Sequence, residues 1–301
     1  MQAGYSGVLR QTHSQITCTI NCGTYGKKGE TDMIINYGTV TTDRFSMDYC
    51  CFGRGSRNLV IIPGLNVQSV MPLADAIAEA YGILTEDFRI YVFDRRKDPP
   101  KTYRVSDMAC DTAEALAFLN IEKTDIFGTS QGGMIAMELA TEFQEHVNSV
   151  ILGSSSACVS DADFEIFDKW ICLAKSGDVK KLFLTLMEDI YPKDSFENMR
   201  ELLLKSAESV TGEDLARFVI IAEGMRGFDV REKLSRVKIP ALVIGSTDDR
   251  VFSPDSSQKI AACMKNSRDC RLYMYDAFGH IPYDFAPDYK ERMLDFLKTQ
   301  K

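Results

Sequence analysis

The sequence predicts an α/β fold: a mostly parallel sheet flanked by helices and interrupted by a block of helices alone. Two observations carry this. Short apolar runs of strand length alternate with helical stripes over residues 33–154 and again over 236–301. Between about Asp161 and Gly227 the strand-like runs stop and only apolar positions at spacings of three and four remain. A chain of 301 residues with 45% hydrophobic side chains can bury the core such a fold needs.

The elements follow in order. Residues 1–32 are polar, rich in Thr, Gly, Ser and Gln, and show no clear period, so they read as a loosely attached extension. The alternative is an extra strand or hairpin, because Val8–Leu9 and Gln15–Ile20 have some strand character. Ile34–Val40 and Phe45–Phe52 read as antiparallel strands joined by the turn Thr41–Arg44. Asn58–Pro63 is a continuous apolar run, as a strand buried on both faces requires. A helix over Met71–Tyr81 and a strand over Arg89–Phe93 come next. Ala109, Ala113, Leu116 and Ala117 mark a helix from Ser106 to about Leu119. The strand Thr124–Phe127, the helix Gly132–Phe143 and the strand Ser149–Leu152 close the first half. In the helical block, Phe164, Phe167 and Ile171 form one stripe, Leu182, Leu186 and Ile190 a second, and Leu215, Phe218, Val219 and Ala222 a third. Thr211 and Asp214 have the spacing of a capping box at the start of that last helix. Strands resume at Ala241–Gly245 and Arg271–Tyr275, and Lys290–Leu297 makes a closing helix.

Composition removes several function classes. Net charge is −8, from 35 basic and 43 acidic residues, without a long basic run, so a phosphate backbone is repelled and nucleic-acid binding is not expected. No apolar stretch reaches the ~18–20 residues a membrane span needs, and the N-terminus does not read as a secretory signal. The nine cysteines are an odd number scattered through a long chain, which points to reduced thiols in a cytoplasmic protein. Cys18 and Cys22 lack a second pair or a nearby His, so no zinc site is expected. Only His13, His146 and His280 are available, which leaves no room for a multi-histidine metal centre.

The chemistry concentrates at Gly128-Thr129-Ser130-Gln131-Gly132, between a strand and a helix. A hydroxyl nucleophile must project from a tight strand-to-helix turn, and the crowding there demands glycines two before and two after it. The bland alternative is a tight turn without chemistry. A serine needs a base within hydrogen-bond reach. His280 follows the strand Arg271–Tyr275 and so lies at the functional edge, whereas His146 ends the helix after Ser130 on the opposite side and His13 belongs to the extension. His280 is therefore the expected base. Its carboxylate partner comes from Asp248-Asp249, which follow the strand Ala241–Gly245; Asp248 is the expected partner, with Asp249 solvated or paired with Arg250. An oxyanion hole needs two backbone donors: Gln131 N–H from the turn, and Leu65 N–H from the loop Pro63-Gly64-Leu65-Asn66.

With these residues in place the chain resembles the α/β-hydrolase fold family from about Met33 to Leu297. The order of Pro63-Gly64-Leu65, Gly128–Gly132, Asp248 and Gly279-His280 is the family's order, and Gly279–Pro287 resembles its Gly-His, acid, Pro pattern. The resemblance implies a mostly parallel eight-stranded sheet, with residues 155–235 as a helical cap over a core of 33–154 and 236–301. One departure is Pro63-Gly64 where many members have His-Gly, which leaves the backbone donor but alters the loop. Ser130 at the turn argues against haloalkane dehalogenation, whose family members carry Asp there.

The leading expectation is a serine hydrolase that cleaves a carboxylic ester or related acyl bond of a small, largely apolar molecule through an acyl-enzyme. It needs no cofactor and no metal, and its partner is the substrate alone; oligomeric state is left open. Carbon–carbon hydrolysis, lactone hydrolysis and cofactor-free perhydrolysis share the same triad, and a non-catalytic ligand receptor of the same fold is the competing class. Trp170, the single tryptophan, would separate these by fluorescence on ligand binding. Phe164, Phe167, Phe183, Met187, Phe218 and Met225 either line an apolar pocket or pack the cap onto the sheet.

Overall fold

The computed structural model describes residues 19–23 and 33–300, the first segment and residues 197–198 by backbone alone. All eight expected strands are present: β2 (Ile35–Thr41), β3 (Ser46–Phe52), β4 (Arg57–Ile62), β5 (Phe88–Phe93), β6 (Thr124–Thr129), β7 (Val147–Gly153), β8 (Ala241–Ser246) and β9 (Cys270–Tyr275). A ninth, β1 (Thr19–Gly23), pairs antiparallel with β2 and overlaps the end of the Gln15–Ile20 segment. Val8–Leu9 lies outside the described residues.

The sheet order is β1-β2-β3-β5-β4-β6-β7-β8-β9. The pairs from β1 to β5 are antiparallel, and everything from β5·β4 onward is parallel. Strand order reverses at β4, which lies between β5 and β6, so the loops leaving the C-terminal ends of β4 and β6 border one crevice.

Period-two alternation along the central strands builds two cores. Val60, Ile62 and Ile126 face α2 (Val105–Phe118) and α3 (Gln131–Glu142), while Leu59, Ile61, Phe127 and Ile151 face α1 (Ala74–Ala80) and α11 (Tyr289–Thr299). Helix α3 runs directly under the sheet and is buried nearly all round, which explains its apolar composition on every side.

Between β7 and β8 stand α4 (Asp161–Ser176), α5 (Val179–Ile190), α6 (Phe196–Ala207), α7 (Gly212–Glu223) and the short α8 (Arg231–Leu234). The expected capping box opens α7: Thr211 Oγ1 accepts from Asp214 N at 3.1 Å, and Asp214 Oδ2 accepts from Thr211 N at 2.9 Å. Phe164, Phe167, Met187, Phe218 and Met225 are each no more than 1% exposed, so these stripes are taken up by packing. Trp170 stands edge-on to Phe167 and donates Nε1–H to Asp189 at 2.8 Å. After β8 come α9 (Asp255–Cys263) and, beyond β9, α10 (Pro282–Phe285).

Candidate active site

The turn between β6 and α3 is built by steric exclusion. A Cβ on Gly128 would stand 2.3 Å from Gly132 O, and one on Gly132 would stand 1.9 Å from Ile62 O. Only glycine lets β6, α3 and the end of β4 approach so closely. Ser130 takes φ 52°, ψ −120°, a region costly for any side chain. Its backbone is held there by Ser130 N to Gly153 O at 2.8 Å and Ser155 Oγ to Ser130 O at 2.8 Å. Ser130 is 8% exposed, and among the described residues its Oγ makes no hydrogen bond.

Two loops supply the remaining groups at the same C-terminal edge. His280 follows β9, is buried, and hydrogen-bonds Asp249 through Nδ1, at 2.9 Å to Oδ2 and 3.0 Å to Oδ1. A carboxylate can only accept, so the hydrogen of this contact is carried by Nδ1. Phe252 stacks edge-on against the imidazole at 5.6 Å and helps exclude water from it. Phe278, two residues before His280, has φ 87°, a second strained position beside the chemistry.

The expectation for Asp248 is corrected. Asp248 Oδ1 accepts from Gly279 N at 2.9 Å and from Ser246 Oγ, so it staples the end of β8 to the loop carrying His280. Asp249 is the histidine's partner, and it is neither solvated nor paired with Arg250. The reason is an Asx-type turn: Asp249 Oδ1 accepts from Val251 N at 2.8 Å and Phe252 N at 3.1 Å, and burial of that apolar pair turns the carboxylate inward. The signal was in the sequence, in the two apolar residues after Asp249-Arg250. Arg250 instead donates to the carbonyls of Glu188 and Tyr191 at the end of α5, where His280 N also donates to Ile190 O at 2.9 Å. Unsatisfied carbonyls at a helix C-terminus attract a cation and free N–H groups, so α5 is docked onto both loops.

The Pro63–Asn66 loop lies against Ser130: a Cβ on Gly64 would stand 3.1 Å from Ser130 Cβ and 3.7 Å from its Oγ. Gln131 is the first residue of α3, so its N–H has no intrahelical partner. Neither Gln131 N nor Leu65 N donates to a backbone carbonyl among the described residues. Sequence reasoning missed Arg95, which stands behind this loop. Its Nε donates to Gln131 Oε1 at 3.3 Å and its Nη2 to Pro63 O at 2.6 Å, so one guanidinium ties the two halves together. The signal was Asp94-Arg95-Arg96 directly after the buried strand β5. Gln131 Nε2 in turn donates to Ile221 O of α7 at 3.0 Å. His146 sits apart, half-exposed, with Nδ1 on Glu122 O at 2.9 Å, and His13 is outside the described residues.

A serine on a tight glycine-flanked strand-to-helix turn, a buried Asp–His pair and a mostly parallel sheet that sets them at one edge mark the α/β-hydrolase fold. Residues 87–283 match the family model described as serine aminopeptidase, S33, so the chain belongs to that family of hydrolases. A Rhizobium rhizogenes protein whose name marks it provisionally as the carbamate hydrolase RutD is 25% identical over 226 residues, covering 72% of this chain and 85% of its own. The 3-oxoadipate enol-lactonase 2 of Acinetobacter baylyi is 23% identical over 223 residues, covering 73% and 82%. The crystal structure of the enol-lactonase from Burkholderia xenovorans superposes with a TM-score of 0.74 at 20% identity, over 86% of this chain and 99% of that one. Among the described residues no helix is long and apolar enough to cross a membrane, and no group of three or more His, Cys, Asp or Glu is placed to hold a metal.

Proposed function

We propose that the chain is a serine hydrolase that cleaves an ester or related acyl bond of a small molecule, with Ser130 as nucleophile, His280 as general base and Asp249 as the carboxylate that orients it. The observation that carries this is the buried Asp249–His280 pair at the sheet edge that presents Ser130 on its strained turn. Ser130 Oγ attacks the substrate carbonyl as His280 Nε2 takes its proton, and Asp249 stabilises the imidazolium that forms. The Leu65 and Gln131 N–H groups receive the developing oxyanion, each donor of this kind contributing ~3 kcal/mol to barrier lowering. His280 then protonates the leaving alkoxide, and afterwards activates the water that releases the acid and restores Ser130. The Acinetobacter and Burkholderia relatives, named for opening a lactone, which is a cyclic ester, support acyl chemistry.

In this reading the helices of residues 155–235 cap the crevice, held there by the carbonyl contacts of α5 and α7 to the catalytic loops. The protein works in the cytoplasm, a placement supported by the seven cysteines from Cys50 to Cys270, all of them free thiols. The test is hydrolysis of p-nitrophenyl esters of rising acyl length by the wild type beside Ser130→Ala. Turnover that disappears in the variant upholds the proposal; turnover that survives it removes Ser130 from the mechanism.

A further inference from the structure

We propose that Arg250 is a positioning residue: by clamping the end of helix α5 it holds the loops of Asp249 and His280 in register, so that the pair is fully assembled only while that helix is seated. This rests on the proposed hydrolase site and adds to it a dependence on the helical block.

Arg250 follows Asp249 directly and is exposed, yet its guanidinium is engaged with main-chain oxygens and, among the described residues, forms no ion pair. Its Nε and Nη2 donate to Glu188 O at 3.1 and 2.9 Å, and Nη2 also donates to Tyr191 O. Between those two acceptors in the chain, Ile190 O accepts from His280 N at 2.9 Å. One helix end therefore bonds both loops: Glu188 and Tyr191 take the residue beside the acid, and Ile190 takes the base itself. Gly279 makes the approach possible, since at φ 59° a Cβ there would stand 2.7 Å from Ile190 O and 3.2 Å from Pro192 N.

The helix end needs a cation from outside. Lys180 and Lys181 stand at the start of α5 and Glu188 and Asp189 at its end, with no basic residue in the last turn, so its own charges oppose the macrodipole. Lys169 and Trp170 both donate to Asp189 Oδ2, at 3.1 and 2.8 Å, which leaves the last carbonyls to Arg250 and His280 N. A planar guanidinium bridges two carbonyls in fixed geometry, which a single ammonium does less well. Asp248 already staples the two loops to each other through Gly279 N, and α5 is a second, separate support. The helical block also grips the acid loop through Phe167, which packs at 5.7 Å on Phe252, whose N–H the Asp249 carboxylate accepts.

The experiment is a double-mutant cycle in the full chain. Turnover of p-nitrophenyl acetate is measured for Arg250→Gln, Arg250→Lys, Asp249→Asn and Asp249→Asn/Arg250→Gln, beside amide hydrogen exchange of the peptide that carries His280. Arg250→Gln is expected to lower kcat roughly 10–100-fold with KM within about twofold, and Arg250→Lys to restore part of the loss. In the Asp249→Asn background, where the pair is already broken, the same change should cost less than about twofold. Exchange of His280 N–H should rise at least about tenfold in Arg250→Gln while β4 and β6 stay as protected as in the wild type. An unchanged kcat overturns the inference, as does an equal loss with and without the Asp249 carboxylate. Unchanged exchange at His280 overturns it as well, and so does a rise shared by β4 and β6, which marks general destabilisation. The exchange arm needs no turnover: a wild type inert toward esters removes the hydrolase reading, while exchange still decides whether Arg250 holds the loop of His280.

Discussion

The exchange of roles between the two adjacent aspartates yields the sharpest prediction. In Asp249→Asn the amide oxygen can still accept from Val251 N and Phe252 N, now at 2.8 and 3.1 Å, so the turn and the fold should persist. The amide nitrogen then faces His280 Nδ1, where two oxygens now stand at 2.9 and 3.0 Å. A donor at the Oδ2 position opposes the Nδ1 proton, and only the shared oxygen 3.0 Å away remains to hold it, so the balance moves toward the tautomer with its proton on Nε2, which lacks the lone pair the proposed mechanism uses. Comparable loss of the orienting carboxylate costs on the order of 10⁴ in kcat, about 5 kcal/mol of barrier. Asp248→Asn keeps an acceptor for Gly279 N and for Ser246 Oγ, so its kcat should stay within about threefold and its stability within ~1 kcal/mol. The assay is p-nitrophenyl acetate hydrolysis for both variants beside thermal melts. A large kcat loss in Asp248→Asn with a near-normal Asp249→Asn would refute the reasoning.

Three further outcomes follow from packing and burial. Gly132→Ala drives a methyl into Ile62 O at 1.9 Å, a backbone atom that cannot swing away, and should cost at least about 3 kcal/mol in a denaturant melt. Phe167→Ala removes a ring packed against Phe164, Trp170 and Phe252 and should cost ~3–5 kcal/mol, with a shift in Trp170 emission. Burial holds the Cys50 thiol up at about 12 and Cys51 at about 11. The thiolate is the reactive form, so at pH 8 iodoacetamide should spare both in the native protein while labelling exposed Cys172, and peptide mass analysis reads this directly.

Most of the fold was legible because its central strands are buried on both faces. β4 and β8 read as continuous apolar runs, and their observed ends, like those of β6, lie within two residues of the expected ones. Helix α9 went unread for the converse reason: it buries only Ser256, Ser257 and Ile260, and so little apolar surface leaves no stripe to detect. Strand β1 was one of two open readings, because an edge strand near a chain end needs no strong apolar pattern to pair with β2.

The site shows where sequence order stops being enough. Ser130 and His280 were singled out because glycine spacing and a shortage of histidines left little choice, and the structure sets them on the C-terminal edge of one sheet. Asp248 and Asp249 follow the same strand one residue apart, and distance along the chain cannot separate them. What separates them is which neighbours are buried: Val251 and Phe252 face the interior and draw the Asp249 carboxylate with them, while Asp248 is turned to the loop of Gly279. Arg95 poses the same problem in a different form. An arginine after a strand reads as a solvated surface residue, and only packing of α7 over β5 and the oxyanion loop encloses it. In both cases the decisive fact is the direction a polar group is forced to face by apolar neighbours. Candidate acids and cations at a sheet edge are therefore better ranked by the burial of the residues that follow them than by their distance from the strand.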